Sequence, residues 1–210
     1  MHFIPPPHDC SLCPRLHAFH RINQNTFPTY HNAPVPSFGS LEASRLIIGL
    51  APGLHGANAT GRPFTNDYAG DTLYAALLAH GLARGVYASH AADGFALLDT
   101  RITNAVRCVP PENKPINDEI IQCNHYLATE LAAMPHLRTI LVLGTIAHKA
   151  TLRALSYKQN AFAFAHGATH TLTHHPITLL CSYHCSRYNT NTGTLTHAMF
   201  DTVIARFSAL

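Results

Sequence analysis

Residues 45–50 read RLIIGL, a short apolar run of the length expected for a buried β-strand. Three more segments are interpreted as strands, at residues 101–106, 138–143 and 177–183. Segments with helical spacing of apolar residues separate and follow them, at residues 71–82, 117–134, 145–155 and 195–207. Strands that alternate with helices predict right-handed crossovers and a mostly parallel sheet with helices on both faces, which is an α/β fold.

The remaining segments give weaker signals. Residues 1–40 are rich in Pro, His and Asn and show no clear periodicity, which predicts an irregular N-terminal segment. Residues 162–164 and 169–172 suit a small β-hairpin. Asn117 is the expected N-cap of the helix over residues 117–134, because two acidic residues follow it in the first turn.

The composition is that of a folded protein. The chain has 210 residues, of which 47% are hydrophobic and 12% are charged, so it can bury a core and is not a disordered tail. We therefore predict a single domain over residues 1–210. Lys and Arg number 14 against 11 Asp and Glu, and the resulting charge of +3 permits an anionic partner without indicating one.

The sequence also bears on the compartment. No stretch is long and apolar enough to span a membrane, and residues 1–10 lack the basic and apolar segments of a secretory signal. We expect a cytoplasmic monomer with no membrane partner. In that compartment the six cysteines indicate reduced thiols or metal binding rather than disulfides. Most of the 17 histidines are scattered and are interpreted as surface residues.

Three polar loops follow the predicted strands. Residues 51–70, 104–111 and 184–193 are all rich in Gly, Pro, Asn, Thr or His. Ligands of open α/β sheets bind beyond the carboxyl ends of the strands. The three loops are therefore expected to meet in one composite site.

The cysteines fall into three pairs. Cys10 and Cys13 form a C-x2-C pair in a polar loop, and fourteen residues separate Cys108 from Cys123. These four thiols can hold one metal centre that fastens the N-terminal segment to the sheet, and both zinc and an iron–sulfur cluster fit this spacing. The third pair lies in or just after the last strand, where Cys181 is interpreted as a buried apolar residue.

Three motifs carry a family resemblance. GLAPGLHGANATGRPFTND (residues 49–67), TNAVRCVPPENKP (residues 103–115) and SYHCSRYNTNTGTLT (residues 182–196) resemble, in order, the three active-site motifs of the family 5, or b-type, uracil-DNA glycosylases. The cysteine order also matches the four ligands of the [4Fe–4S] cluster in families 4 and 5. The resemblance covers nearly the whole chain.

The resemblance implies a fold and an activity. The fold is a three-layer α/β/α sandwich with a short, mostly parallel central sheet. The activity is excision of uracil from double-stranded DNA, and related members also remove other deaminated bases such as hypoxanthine. The enzyme flips the base out of the duplex and hydrolyses its N-glycosidic bond, which leaves an abasic site. The implied metal ligands are Cys10, Cys13, Cys108 and Cys123, which hold the [4Fe–4S] cluster.

The motifs also assign candidate roles. Phe64 is the implied stacking platform for the flipped base, and Asn104 carries the donor and the acceptor that pair with N3–H and O4 of uracil. His184 is positioned to donate to O2 as negative charge develops on the leaving base. Either Asn58 or Asp67 orients the attacking water, although Asp67 could instead cap the helix that follows. Further substrate contacts are expected from the backbone of Gly49, Ala51 and Gly53, and Gly56 and Gly61 are also expected to permit close approach.

The third motif continues into a polar turn. Residues 186–189 (Ser186, Arg187, Tyr188 and Asn189) are expected to contact DNA phosphates. Arg187 or Tyr188 is the candidate wedge that enters the emptied base stack.

The chain departs from the family at two positions. Cys185 stands where the third motif usually has proline, so the turn after His184 could differ. Leu50 stands where the family 4 enzymes carry a glutamate, an absence that is typical of family 5 and that removes the obvious water-activating carboxylate. Two other classes are alternatives: a non-catalytic iron–sulfur protein that binds damaged DNA, and a zinc-stabilised nucleotide-binding protein. The second would need a glycine-rich phosphate loop with Lys-Ser/Thr, which the sequence lacks.

Overall fold

The computed structural model describes residues 3–210 and contains two sheets. Residues 1 and 2, part of the predicted irregular segment, lie outside this range. The strands are β1 (Arg45–Gly49), β2 (Ala83–Arg84), β3 (Ala96–Leu97), β4 (Thr100–Asn104), β5 (Thr139–Leu143), β6 (Thr169–Thr171) and β7 (Thr178–Ser182). The α-helices are α1 (Pro14–Thr26), α2 (Ala57–Thr60), α3 (Tyr68–Ala79), α4 (Asn117–Ala132), α5 (Thr145–Ala154), α6 (Arg187–Asn191) and α7 (His197–Ala209). None of these helices is long and apolar enough to cross a membrane.

The central sheet is mostly parallel. Its strand order is β4-β1-β5-β7-β6, and only the edge strand β6 runs antiparallel to its neighbour. Gly49 at the end of β1 lies beside Asn104 at the end of β4. Leu143 at the end of β5 lies in the same way beside Ser182 at the end of β7. The four parallel strands therefore deliver their following loops to one edge of the sheet.

Helices cover both faces of this sheet, because alternate strand residues are apolar on both sides. In β1, Ile47 packs into a core that also contains Leu73 of α3 and Val203 of α7. Its neighbours point the other way, and Ile48 packs against Leu127 of α4. Two apolar layers on a largely buried parallel sheet give the three-layer α/β/α sandwich, and the predicted fold class is confirmed.

Three local predictions are wrong. Residues 14–26 of the supposedly irregular N-terminal segment form α1, which Pro14 starts because its fixed φ suits the first helical turn. Residues 162–164 form no strand, and β6 pairs with β7 instead of closing a hairpin with them. The N-cap of α4 is Ile116, one residue before Asn117, and Ile116 N–H donates to the Glu119 carboxylate at 2.9 Å.

The helix after the first loop starts earlier than the sequence predicts. Its N-cap is Asp67, whose Oδ1 accepts the N–H of Gly70 at 2.8 Å, so α3 begins at Tyr68 rather than at residue 71. Gly70 is required in that first turn, since a Cβ there would lie 1.6 Å from the carbonyl oxygen of Phe64. The start of α3 therefore packs closely against the loop that carries Phe64.

Candidate active site

A recess lies where the three predicted loops meet. It has a volume of about 40 Å³, and its lining includes Phe64, Asp67, Asn104 and His184. It adjoins a wider cleft of about 500 Å³, which shares Asp67 and His184 with it. The structure thus brings four of the predicted site residues together at the carboxyl edge of the sheet. Ala51 and Gly53, the predicted backbone contacts, line both spaces.

The positions of Asn104 and Phe64 in the recess depend on a glycine. A Cβ on Gly49 would lie 2.4 Å from Oδ1 of Asn104 and 2.5 Å from Cζ of Phe64, which is closer than such atoms approach. Only the absence of a side chain at Gly49 lets the amide and the aromatic ring occupy their positions. Phe64 itself has a positive φ of 54°, a strained conformation for a bulky residue.

Two aromatic rings face each other across the recess. The centroids of Phe64 and His184 are 5.9 Å apart, and the ring planes are 24° from parallel. A planar base between them would need about 7 Å, twice the stacking distance of about 3.5 Å. A base can therefore stack on the face of Phe64 only if His184 meets its edge.

The electrostatics of His184 favour its neutral form. Burial lowers the pKa of His184 to about 4, so the imidazole is uncharged at neutral pH and can still donate one N–H. No hydrogen bond joins its ring to another side chain within residues 3–210, whereas its carbonyl accepts Nδ2 of Asn189 at 2.8 Å. The ring is thus free to contact a ligand while its backbone is held.

Asp67 has one carboxylate oxygen in use and one to spare. Oδ1 caps α3, and Oδ2 lies on the side of the first loop, 3.7 Å from where a Cβ of Gly53 would be. Burial raises the pKa of Asp67, and the Gly70 N–H partly offsets this rise. Helix capping and water positioning are therefore compatible roles for this one side chain.

Asn58 lies elsewhere. Its side chain is fully buried outside the recess lining, and Nδ2 donates to Oδ1 of Asn32 at 2.9 Å. Its backbone carbonyl accepts the N–H of Asn32 at 3.2 Å. These bonds join the first loop to residues 27–32, which is a structural use of the amide. Asn104 differs, because its amide faces the recess and has no hydrogen-bond partner in the described part of the chain.

Buried ion pairs hold two of the loops. Glu130 of α4 accepts Nε of Arg101 at 2.7 Å and Oγ1 of Thr103 at 2.9 Å, and it also pairs with Arg107. These partners flank Asn104 on both sides. In the first loop, Arg62 binds Asp93 through two hydrogen bonds of 2.8 Å. Both sets fix the backbone beside a recess residue.

The turn after His184 is the exposed side of the site. Oγ of Ser186 caps α6 by accepting the N–H of Asn189 at 3.4 Å. Arg187 is exposed, and its guanidinium lies 5.4 Å from the ring centre of Tyr68. Tyr188 has 75% of its surface accessible, the largest exposed fraction of any Phe or Tyr among the described residues.

The two departures from the family motifs have structural outcomes. Cys185 is fully buried, and its thiol lies 3.5 Å from the carbonyl of Ala69, so it packs the turn against the start of α3. Leu50 lines the outer cleft and offers no proton acceptor there.

Sequence reasoning missed one wall of the cleft. Gly144, Thr145, Ile146 and Ala147, at the start of α5, line it together with Tyr68 and Asn113. No polar motif marks the segment after β5. The signal was the topology, because β5 lies between β1 and β7 and its carboxyl end must reach the same edge.

The four predicted metal ligands face one apolar pocket. Cys108 and Cys123 belong to a small core with Leu16 and Val106, and Cys10 and Cys13 pack against it. All four are free thiols. Burial raises the pKa of Cys13 to about 11, and the nearby charges of Cys123, Glu119 and Cys10 add to this rise. The backbone N–H of Arg107 donates to Sγ of Cys123 at 3.3 Å.

The spacing of these thiols bears on the kind of metal centre. Within residues 3–210, only one set of three or more His, Cys, Asp or Glu side chains has ligand atoms that all lie within 4.8 Å of one another. This set consists of His148, His170 and Cys181. No three of the four cysteine thiols are that close. A single tetrahedral zinc ion needs sulfur–sulfur separations of about 3.8 Å. The wider arrangement fits a larger iron–sulfur cluster.

Comparison with known proteins identifies the family. The model of the uracil DNA glycosylase superfamily matches residues 36–208. The chain belongs to this superfamily. The type-5 uracil-DNA glycosylase of Thermus thermophilus is 42% identical over 200 residues, which cover 91% of this chain and 89% of that protein.

Two further relatives place the chain within the superfamily. The type-5 uracil-DNA glycosylase of Pyrobaculum aerophilum is 35% identical over 205 residues, or 96% of this chain and 88% of that protein. A type-4 uracil-DNA glycosylase of the same organism is 32% identical over only 148 residues, 70% of this chain and 61% of that protein. The resemblance to family 5 is confirmed.

Proposed function

We propose that this chain is a DNA repair enzyme that excises uracil from double-stranded DNA. The observation that carries the proposal is the convergence of Phe64, Asn104 and His184 on one small recess in a member of the uracil DNA glycosylase superfamily. The type-5 names of its relatives support the same activity. A protein that only bound damaged DNA would need groups that recognise the base but none that orients a water, and Asp67 lines the same recess.

The recess residues divide the recognition of the base. Flipping a base out of the duplex costs a few kcal/mol, and stacking on Phe64 returns about 1–3 kcal/mol. The amide of Asn104 can donate to O4 and accept from N3–H, a pattern that cytosine does not present. Hypoxanthine is a second candidate substrate. As a two-ring purine it needs a larger recess than uracil does.

Bond cleavage rests on charge stabilisation. The C1′–N1 bond breaks with both electrons moving onto the base, and the neutral His184 donates its N–H to the developing charge at O2. We assign the water to Asp67 rather than to Asn58, because Asp67 lines the recess and Asn58 is bonded elsewhere. Oδ2 of Asp67 orients the water and stabilises the cationic sugar. The water oxygen bonds to C1′ and the proton that it loses passes to the departing uracil anion, so the products are free uracil and an abasic site.

The exposed turn provides the duplex contact. Arg187 and Tyr188 are both exposed beside the mouth of the cleft, where they can reach phosphate and base stack. Ser186 and Asn189 contribute by shaping the turn, and their polar groups can also reach a phosphate. Tyr188 is the stronger wedge candidate, because Arg187 already stacks on Tyr68.

We also propose that Cys10, Cys13, Cys108 and Cys123 hold a [4Fe–4S] cluster. The fit rests on four free thiols around an apolar pocket, no three of which lie within 4.8 Å of one another among the described residues. When bound, the cluster would be a structural link, since it would join the segment before α1 to the second motif and to α4. The six free thiols also suit a monomer that works in the reducing cytoplasm.

The activity can be tested with labelled duplexes that carry uracil, hypoxanthine or xanthine at one position. We expect alkali-labile sites at uracil, and Asn104→Ala should abolish them. Asn117→Ala is the matched control, because Asn117 is exposed at the start of α4 and away from the recess. Duplex binding without an abasic site at any of the three bases would instead establish the non-catalytic alternative.

A further inference from the structure

A second group of ligand side chains lies outside the active site. His148 of α5, His170 of β6 and Cys181 of β7 each offer one ligand atom, and these atoms all lie within 4.8 Å of one another. None of the three belongs to the family motifs or to the four-cysteine pocket. They come from three separate elements, so only the tertiary fold brings them together.

His148 is a buried imidazole without a partner. It is 1% exposed, and neither Nδ1 nor Nε2 makes a hydrogen bond in the described chain. Leaving a buried polar group unpaired costs about 1–3 kcal/mol, so native proteins rarely do it without a reason. Burial lowers the pKa of His148 to about 4, so the ring is neutral and keeps a lone pair for a metal ion.

His170 is oriented as metal-binding histidines are. Its Nε2 lies 2.8 Å from the carbonyl oxygen of Ala163. A carbonyl can only accept, so Nε2 carries the proton and Nδ1 keeps the lone pair. Donation from one ring nitrogen to a backbone carbonyl is the usual way in which the other nitrogen is aimed at a metal.

Strand register brings Cys181 to the same face. His170 pairs with Leu179 across the antiparallel β6–β7 ladder, and Cys181 is two residues further along β7. Residues two apart share a face of the sheet, so Cys181 is the diagonal neighbour of His170. The thiol is free and fully buried. The apolar interpretation of Cys181 explains its burial but not its two imidazole neighbours.

We propose that His148, His170 and Cys181 bind a Zn²⁺ ion. Two imidazoles and one thiolate are ligands that zinc prefers, and three protein ligands leave its fourth position for water. Tetrahedral geometry needs ligand–ligand separations of about 3.3–3.6 Å. Side-chain rotations that shorten the separations by roughly 1 Å close the site around the ion.

The ion would cross-link α5, β6 and β7. It would tie α5 to the antiparallel edge of the sheet, where β6 has only three residues to hold it. Cys181 also lies three positions before His184 on the same strand and turn. Zinc would therefore stabilise the element that delivers His184 without contacting the recess.

The test is metal analysis of untagged protein with its iron–sulfur cluster in place. We expect about one zinc per chain in addition to iron, with an X-ray absorption spectrum that shows both nitrogen and sulfur ligands near 2.0 and 2.3 Å. His170→Gln should lose the zinc and keep the iron. His174→Gln, which removes an exposed histidine from the same region, should keep both.

Thermal unfolding gives a second readout that does not depend on purified metal content. After chelation, zinc at about 100 times its Kd should raise the Tm of the parent by about 5–10 °C and leave His170→Gln unchanged. Retention of no zinc would overturn the proposal. An all-sulfur zinc spectrum that persists in His170→Gln would overturn it as well, because the ion would then occupy the four-cysteine pocket.

Discussion

The walls of the recess and the turn after His184 are built in opposite ways. Phe64 and Asn104 in the walls are buried, and ion pairs such as Arg62 with Asp93 hold the backbone beside them. The turn over residues 186–191 is a short helix with no buried residue, and a few hydrogen bonds from Ser186 and Asn189 shape it. Groups that must keep a fixed geometry around a base are thus on rigid elements, whereas groups that must meet DNA are exposed.

The largest effect that we expect is a loss of stability when a buried ion pair beside the recess is removed. Glu130→Ala leaves Arg101 and Arg107 buried without their carboxylate, which should cost about 3–5 kcal/mol of unfolding free energy. Asp201→Ala is the control, because its pair with His80 is exposed and should contribute less than about 1 kcal/mol. Denaturant unfolding measures both. Equal denaturation midpoints for the two variants would show that the ion pairs of Glu130 do not stabilise the fold.

His184 joins the two regions, and its loss should affect chemistry rather than binding. His184→Ala removes a donor to the leaving base, so single-turnover excision should slow by about 100–1,000-fold with duplex affinity little changed. His90→Ala, at an exposed histidine, should cut at the parent rate. Asp67→Asn and Asn58→Ala, measured in parallel, should show a large loss only for Asp67. A parent rate for His184→Ala under saturating enzyme would remove its assigned role.

The pH profile separates a buried histidine from an exposed one. The pKa of His184 is lowered to about 4 by burial, so its active neutral form persists from pH 8 down past 6. The active form of Asp67 is its carboxylate, and burial raises its pKa, so the rate should fall tenfold per pH unit only on the acid side of that raised value. An inflection near pH 6.5 that disappears in His184→Ala would show that His184 titrates as if exposed.

The turn should give the smallest effect. Tyr188→Ala removes a side chain that is 75% exposed, so stability should change by no more than about 0.5 kcal/mol. Loss of a wedge should slow excision from duplex DNA by about tenfold or less and leave single-stranded uracil DNA unaffected. Equal slowing on both substrates would mean that Tyr188 contacts the strand without acting as a wedge.

The sequence predicted the parts of this comparison unequally. Short apolar runs marked β1, β5 and β7, because buried parallel strands carry a strong signal. The strand predicted over residues 101–106 corresponds to β4, although β4 itself is largely polar. Polar motifs marked Phe64, Asn104 and His184, and the resemblance supplied their roles. The helix α1 was missed because few of its residues are buried. The α5 edge of the cleft was missed because local sequence patterns do not reveal the order of the strands in the sheet.

Contacts between residues that are far apart in the chain also could not be predicted from the sequence. The two alternatives for the water, Asn58 and Asp67, could not be separated until the structure placed Asn58 against Asn32. The role of Gly49 likewise follows only from the structure, since its neighbours Asn104 and Phe64 are far from it in the chain. Local pattern predicts which residues are polar and where loops fall, but not which side chains share a cavity.

The central claim, that the recess holds the flipped base, is tested most directly by filling it. Gly49→Ala places a methyl group where Asn104 and Phe64 now lie, so single-turnover excision of uracil should fall by at least about 100-fold while the protein still folds and binds duplex DNA. Ile48→Val is the control, because it trims the adjacent residue on the opposite face of β1 and should cut at the parent rate. Uracil excision by Gly49→Ala at the parent rate would contradict the account, since the base would then be held somewhere else.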